Sequence, residues 1–382
     1  MRIVPGLLHE VRKYGRFDAN GCLNCGCCTI RCALSRDNAS FPRRQMQYAV
    51  LGLKGPLLGS LEPWLCHDCG DCSSICPQQA EPRESMMTLR RYLIAQYDIT
   101  RLGSKILLSK KAELMAISLV FLLVLILVVL YHLFYVKMSV ADFTSIPMGQ
   151  KHMFDTITYF TYSVYLIPML LMILNSFRMF RFTMGAGRQE IPLRYYLSEL
   201  KKLCVHMISH QNIRKCAQEV HIKRWIKHWL LAFACVLMSV ITFFFLEWFQ
   251  TDAVYPLYHP QRWLGYIATA ILIFVPADIL LGRIRKREEM HKFSEFSDLT
   301  LPVLLLLVAV TGIAVHIFRY TEWYLTSHFL YALHLAVTVP LLIVELPFGK
   351  WSHMIYRPLA IYFQSVKERA LVETMSIKEA AA

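Results

Sequence analysis

Six apolar stretches constrain this chain more than anything else in it. They lie near residues 112–136, 154–177, 229–250, 263–282, 299–318 and 327–346. Each reaches the roughly 20 residues a helix needs to cross the hydrocarbon core of a bilayer. One soluble core would not use six such runs, so they are expected to be six membrane spans. In the second run Tyr159, Tyr162 and Tyr165 keep one face semi-polar. Around the fifth and sixth, Tyr320, Trp323 and Tyr324 gather at the ends, as in an interfacial aromatic belt.

The charges fall between these runs. The 382 residues carry a formal net charge of +14, and 55% of them are hydrophobic. A basic surplus can serve nucleic acid, but its placement here argues otherwise. Loops 178–228 and 283–298 hold eleven and five Lys or Arg, against two, one and one in loops 137–153, 251–262 and 319–326. Basic loops stay in the cytoplasm. With six spans, both termini are then expected there too, in a multi-pass protein of the inner membrane. The charge reads as a topology signal, with some capacity for an acidic partner or anionic lipid. Residues 1–20 are polar and lack the apolar core of a secretory signal.

Ahead of the first span stand two cysteine runs. Cys22, Cys25, Cys28 and Cys32 are spaced C-x2-C-x2-C-x3-C, and Cys66, Cys69, Cys72 and Cys76 repeat that spacing, now followed by Pro77. Three thiolates at two-residue gaps let one short loop wrap a [4Fe–4S] cubane. The fourth points away and, in two-cluster proteins, ligates the other cluster. The expected sets are Cys22, Cys25, Cys28 and Cys76 for cluster one, and Cys66, Cys69, Cys72 and Cys32 for cluster two. Zinc needs four ligands per site but does not call for this run twice. Disulfides fit poorly in a domain facing a reducing cytoplasm. Cys27, inside the first loop, reads as a packed thiol and not a ligand.

The flanks of the cysteine runs have helical periodicity, notably Glu84 to Ile94. The expected fold is therefore all-α: a helical two-cluster domain over residues 1–105, a transmembrane domain over 106–360, and a C-terminal tail over 361–382.

Histidines at membrane depth are functional hypotheses by default. His228 opens the third span, His316 lies late in the fifth, His334 lies in the sixth, and His353 follows it. His228 begins an outward helix and His353 follows an inward one, so the two share a depth near the cluster side and suit one bis-histidine haem. His334, nineteen residues before His353, is roughly 28 Å away along a helix and cannot share that haem. It pairs by depth with His316, which suggests a second, outer haem. Met238, His259 and His132 remain alternative partners for His334. His132, His152, His259 and His328 otherwise read as interfacial or loop residues.

These features resemble known redox proteins. The segment from Trp64 through Pro77, with Arg90 and Arg91, resembles the ferredoxin module of the heterodisulfide reductases. His228-Trp229, Leu333-His334-Leu335 and Pro347 through His353 resemble the membrane haem b proteins of heterodisulfide reductase and of respiratory nitrate reductase. The joining of both halves in one chain resembles the fused iron–sulfur and membrane component of the quinone-interacting membrane-bound oxidoreductases of sulfate reducers. The chain departs from the nitrate reductase pattern at Met238, ten residues after His228, where a second histidine would stand. The resemblance implies a relay. Menaquinol is oxidised, two haems b and two [4Fe–4S] clusters carry the electrons, and cytoplasmic flavin and iron–sulfur subunits receive them on the way to adenylylsulfate reductase.

No Gly-rich phosphate loop or nucleophile triad appears. The rival readings are a heterodisulfide- or sulfite-linked complex, and a membrane redox sensor without quinone chemistry. Quinol oxidation needs a proton acceptor within hydrogen-bond reach. Two regions qualify: the outer side near His316, Arg319, Glu322 and His334, and the cytoplasmic edge near Arg224, His228 and His353. The outer region is preferred, with Glu322 or His316 as acceptor.

Overall fold

The computed structural model describes residues 3–35, 40–137, 139–145, 151–185, 191–210, 219–249, 255–288 and 291–380. The chain is 77% helical, and no strand forms among the described residues. Six short helices come first: α1 (Leu7–Arg12), α2 (Cys27–Arg31), α3 (Arg43–Val50), α4 (Lys54–Leu58), α5 (Glu62–Leu65) and α6 (Asp71–Ser74). They surround α7 (Pro82–Tyr97). Proline at the first helical position suits α7, because that N–H has no intrahelical partner to lose. Met86, Leu89, Tyr92 and Leu93 of α7 are fully buried. Its buried polar residues are paired instead of solvated: Thr88 donates to the Arg16 carbonyl at 2.7 Å and Arg91 to the Tyr14 carbonyl at 2.7 Å.

Asp98 then turns the chain toward the membrane, its carboxylate accepting from Thr100 and from the Gly103 N–H at 2.7 Å. The short α8 (Gly103–Ile106) leads to α9 (Lys110–Tyr131), which Ser109 caps by accepting from the Ala112 N–H. α10 (Val140–Ser145), α11 (Lys151–Met184), α12 (Leu193–Ser209), α13 (Glu219–Phe244), α14 (Leu246–Phe249), α15 (Pro260–Ile284), α16 (Phe296–Tyr320) and α17 (Tyr324–Pro340) follow. A wide π turn over Leu341–Glu345, the short α18 (Leu346–Phe348) and a 3₁₀ turn over Lys350–Ser352 connect α17 to α19 (His353–Ala380).

Six helices are long and apolar enough to cross a membrane: Lys110–Val136, Thr156–Met184, Ile222–Phe244, Pro260–Ile284, Phe296–Tyr320 and Tyr324–Phe348. They overlap the six expected spans. The third begins and ends earlier than its apolar run suggests. Its basic first turns stay helical because their charges are answered across the bundle: Arg224 pairs with Glu288 at 2.7 Å and Lys227 with Asp278 at 2.5 Å.

The C-terminal segment departs from expectation. Residues 361–380 form no loose tail but the rest of α19. Tyr356, Ala360, Phe363 and Val366 are buried in one core with Leu7, Trp64, Met86 and Tyr97 of the cysteine module and with Met172 and Met179 of α11. The spacing of the α19 residues puts them on one helical face. Tyr356 meets Trp64 at 5.1 Å and Tyr97 at 5.6 Å between ring centres.

This aromatic trio is expected to hold the two halves in register. Tyr356→Ala should destabilise the protein by about 3–5 kcal/mol, as for other buried aromatic truncations. Tyr356→Phe should cost much less, because the ring is kept and the Tyr356 hydroxyl has no partner at full hydrogen-bond geometry among the described residues. Thermal unfolding in detergent, followed by intrinsic fluorescence, checks both.

Candidate functional site

The two cysteine loops fold alike. Asn24 and Asp68, one residue before Cys25 and Cys69, take left-handed conformations with φ of 54° and 58°. Gly26 and Gly70, one residue after those cysteines, do so with φ of 87° and 92°. Asn and Asp tolerate this region and Gly adopts it freely. Each loop thus curls tightly, then starts a short helix, α2 or α6, and the two helices pack together. The thiols close enough to act electrostatically on Cys28 are those of Cys22, Cys76 and Cys25. Those acting on Cys32 belong to Cys66 and Cys69. Cys72 feels Cys66, Cys69 and Cys32, and also Cys28. A crossed assignment of the fourth ligands would use these neighbours. Burial pushes the Cys28, Cys66 and Cys72 thiols up and that of Cys32 to about 12. Cys27 sits against Cys25. Backbone N–H groups reach the sulfurs of Cys66 and Cys76, from Asp68 and Ala80, at 3.4 Å each.

The second loop is fastened from both sides. Arg83 donates to the Asp68 carboxylate at 2.6 Å and also contacts Glu84. Arg90 donates to the carbonyls of Pro63 at 2.7 Å and Cys66 at 2.5 Å. From the membrane half, Arg357 reaches His67 at 3.2 Å and Arg224 the Asp68 carbonyl at 3.5 Å. The loop of Cys66 to Cys72 therefore sits on the membrane bundle. The first loop lies farther out, with Cys25 exposed and Ile30 88% exposed.

Directly beneath the second loop lie His228 and His353, their ring centres 6.1 Å apart. Two imidazoles bound on opposite sides of one iron, with metal–nitrogen bonds of about 2 Å, have centres about 6 Å apart. His353 Nδ1–H donates to the Lys350 carbonyl at 2.5 Å, which leaves the Nε2 lone pair free for a metal. Burial, with Lys350, Arg357 and Arg90 adding to it, pushes this imidazole down to about 4 and so keeps it neutral. His228 Nδ1 has no hydrogen-bond partner among the described residues. The residues fit a bis-histidine haem. Sequence reasoning missed two more rings in the same row: His206 lies 5.9 Å from His210, and His210 5.0 Å from His228. Their four-residue spacing, with His206 in the amphipathic α12 and His210 at its C-terminal cap, was the available signal.

At the other end of the bundle a cavity of about 350 Å³ opens between α13, α15, α16 and α17. Its walls are mainly apolar, and Arg262, Tyr266, His316 and Arg319 stand at one end. His334 and Met238 also line it. The structure does not bring His316 and His334 together as a facing pair. Arg262 donates to His316 Nδ1 at 3.1 Å, since a guanidinium can only donate. Nε2 must then carry the proton, which it gives to the Tyr266 oxygen at 2.9 Å. Both nitrogens of His316 are spent, and the Tyr266 hydroxyl proton is left for a ligand. His334 Nδ1 lies 3.0 Å from the Thr311 hydroxyl, whose own proton goes to the Leu307 carbonyl at 2.7 Å. His334 Nδ1 is therefore the donor there, and its Nε2 lone pair remains available.

Glu322 is exposed, in a left-handed turn, and is not part of the cavity wall. Three other histidines are engaged by near neighbours. His132 bonds the Val128 carbonyl, His259 stacks on Tyr255, and His328 meets the edge of Phe143. The His152 side chain lies outside the described residues.

Comparison with known proteins agrees with both halves. The 4Fe-4S dicluster domain matches residues 18–80, and the citrate utilization protein B family matches residues 104–373. The chain belongs to the citrate utilization protein B family. A protein of Archaeoglobus profundus, described as like a heterodisulfide reductase component, is 35% identical over 83 residues, which is 22% of this chain and 44% of that one. Citrate utilization protein B of Escherichia coli is 30% identical over 142 residues, 37% of this chain and 35% of its own. A component of the H(2)/formate:CoB-CoM heterodisulfide,ferredoxin reductase of Methanococcus maripaludis is 33% identical over 69 residues, 18% of this chain and 37% of its own. The chain thus spans less than half the length of each of these relatives. No solved structure matches it. The chain thus joins a 4Fe-4S dicluster domain to a citrate utilization protein B region, and its six long apolar helices make it a multi-pass membrane protein.

The crossed assignment has a direct test. Cys76→Ser should damage the cluster of Cys22, Cys25 and Cys28 and spare that of Cys66, Cys69 and Cys72. EPR of the reduced protein, with the two signals first assigned by Cys25→Ser and Cys69→Ser, reads which cluster is lost.

Proposed function

We propose that the chain is the membrane electron-transfer subunit of a quinone-linked oxidoreductase. It would take electrons from menaquinol in the bilayer and deliver them to flavin and iron–sulfur subunits in the cytoplasm. The observation that carries the reading is the His228–His353 pair, with the His353 tautomer already set for metal, lying under the loop of Cys66 to Cys72. Haem b held by these histidines and [4Fe–4S] clusters held by the eight cysteines supply one-electron carriers when bound. Arg357 and Arg224 keep the second cysteine loop against the bundle. The first loop, with Cys25 exposed, is left to face partners. The basic loops 178–228 and 283–298 lie at the cluster end, which supports a cytoplasmic site for the clusters.

The cavity suits the quinol head. Tyr266 donates to one ring oxygen, His316 and Arg262 hold that hydroxyl in place, and His334 Nε2 is the free acceptor for a quinol proton. His316 therefore positions Tyr266 and does not itself take a proton. Glu322, exposed and off the cavity wall, loses the acceptor role to His334. Proton release on this face, opposite the clusters, would add to the proton gradient. The rival occupant of the cavity is a second haem, for which His334 and Met238 supply a histidine and a thioether.

The partner follows two readings. The ferredoxin half supports a complex of the quinone-interacting membrane-bound oxidoreductase type, feeding adenylylsulfate reductase in sulfate respiration. The family match over residues 104–373 favours instead a partner in carboxylate utilization. Identification of the subunits that co-purify with the full chain separates them.

Replacing His228 or His353 with Ala should each remove one low-spin haem from the reduced-minus-oxidised spectrum. Full haem content in both variants would refute the pair. Tyr266→Phe should slow haem reduction by a menaquinol analogue about tenfold, the worth of one good hydrogen bond, and leave reduction by dithionite unchanged. Equal rates with the analogue would move the quinol site to the cytoplasmic edge near Arg224. A haem lost in His334→Ala would make the cavity a haem site.

A further inference from the structure

The bundle buries two acids that this relay does not use. Glu113, in the first turn of α9, is 4% exposed, and Glu345, last residue of the π turn, is 0% exposed. π turns inside helices are frequent at functional sites. Among the described residues, neither oxygen of Glu345 has a partner at hydrogen-bond geometry, nor has Glu113 Oε1. The Glu345 carboxyl faces the Glu113 carboxyl and the backbone N–H of Lys350. It occupies the space that a methyl at Gly349 would fill, so the glycine in the Pro347-to-His353 motif makes room for this acid.

The surrounding cations are taken. Lys350 donates to Asp298 at 2.6 Å, and Arg283 to Ser294 at 2.9 Å with Asp298 at 3.7 Å. Arg91 is spent on Tyr14 and Thr88. The Thr300 hydroxyl beside Glu113 donates to the Phe296 carbonyl at 3.0 Å. Two carboxyls in contact, buried and without a cation of their own, cannot both ionise. At least one of the two therefore carries a proton at rest.

We infer that Glu113 and Glu345 form a proton-binding site that takes up one proton when the protein is reduced and returns it on oxidation. This rests on the reading that a redox centre lies at His353. Lys350 lies within Coulombic reach of both Glu345 and His353, which ties the two places together. An electron added at that centre raises the proton affinity of the pair, because a nearby negative charge favours the protonated form. The pair, already holding one proton, binds a second from water at the cluster-side end. The electron's charge is balanced, and the proton leaves when the electron moves on. The charged groups facing the pair from the packed elements are Arg91 of α7, Asp298 of α16 and Lys350. All of them are ion-paired or hydrogen-bonded, so the pair is the group there that can change its protonation.

Redox-difference infrared spectroscopy of the full chain, poised electrochemically, tests this. The reduced state should gain a protonated-carboxyl band that shifts in D₂O and is lost in both E345Q and E113Q. Haem and iron content measured on the same samples show whether the variants have folded and loaded. A sample without haem would defeat the electron-transfer reading by itself. A loaded sample with no such band, or one whose band survives both substitutions, overturns the inference. So does a melting temperature that rises with sodium or potassium in wild type and not in E345Q, which would make the pair a cation site.

Discussion

The structure depends on one shared core. Trp64 and Tyr97 from the cysteine module, Met172 and Met179 from α11 and Tyr356 from α19 pack without a seam between module and bundle. An ordinary domain interface is more polar and permits relative motion. A continuous apolar core does not, because close-packed interiors deform little. The cysteine loops are therefore held at a fixed height above the helices. Electron transfer needs fixed separations, and Arg357 and Arg224 alone, at the rim of the contact, could not guarantee them.

From this core the two ends of the bundle separate by chemistry. The cluster end collects ionisable groups that are nearly all paired: Arg83 with Asp68 and Glu84, Asp298 with Lys350 and Arg283, Arg224 with Glu288. The far end keeps one apolar cavity with a small polar group at its mouth. Between them the imidazole tautomers are set by fixed neighbours: a backbone carbonyl for His353, a threonine for His334 and a guanidinium for His316. Those neighbours decide that the first two rings present a lone pair and that the third does not.

Much of this was legible in the sequence, for identifiable reasons. Long apolar runs report spans because a bilayer demands a fixed length. Cysteine spacing reports a cluster loop because the loop must wrap a body of fixed size. What stayed hidden depended on partners distant in sequence. His316 looks like a ligand until Arg262, 54 residues away, is seen to occupy its Nδ1. Glu322 looks like a membrane acid until its turn carries it into the open. The burial of α19 did leave a trace, in Tyr356, Ala360, Phe363 and Val366 at helical spacing. That pattern was masked by the charges that share the segment. Glu113 and Glu345 each stand near the end of a run where a solvated charge is ordinary, and only the packing of α9 on the π turn shows that they meet.

The central claim is spatial: the cluster of the second cysteine loop neighbours the His228–His353 pair, and the other cluster is more remote. Electron spin relaxation measures this directly. In the holoprotein, with the clusters reduced and the haem held ferric by freeze-trapping, a low-spin iron hastens the relaxation of whichever cluster is near. The account predicts strong enhancement for the cluster that Cys69→Ser removes and much weaker enhancement for the one that Cys25→Ser removes. Equal enhancement, or the reverse order, would contradict it.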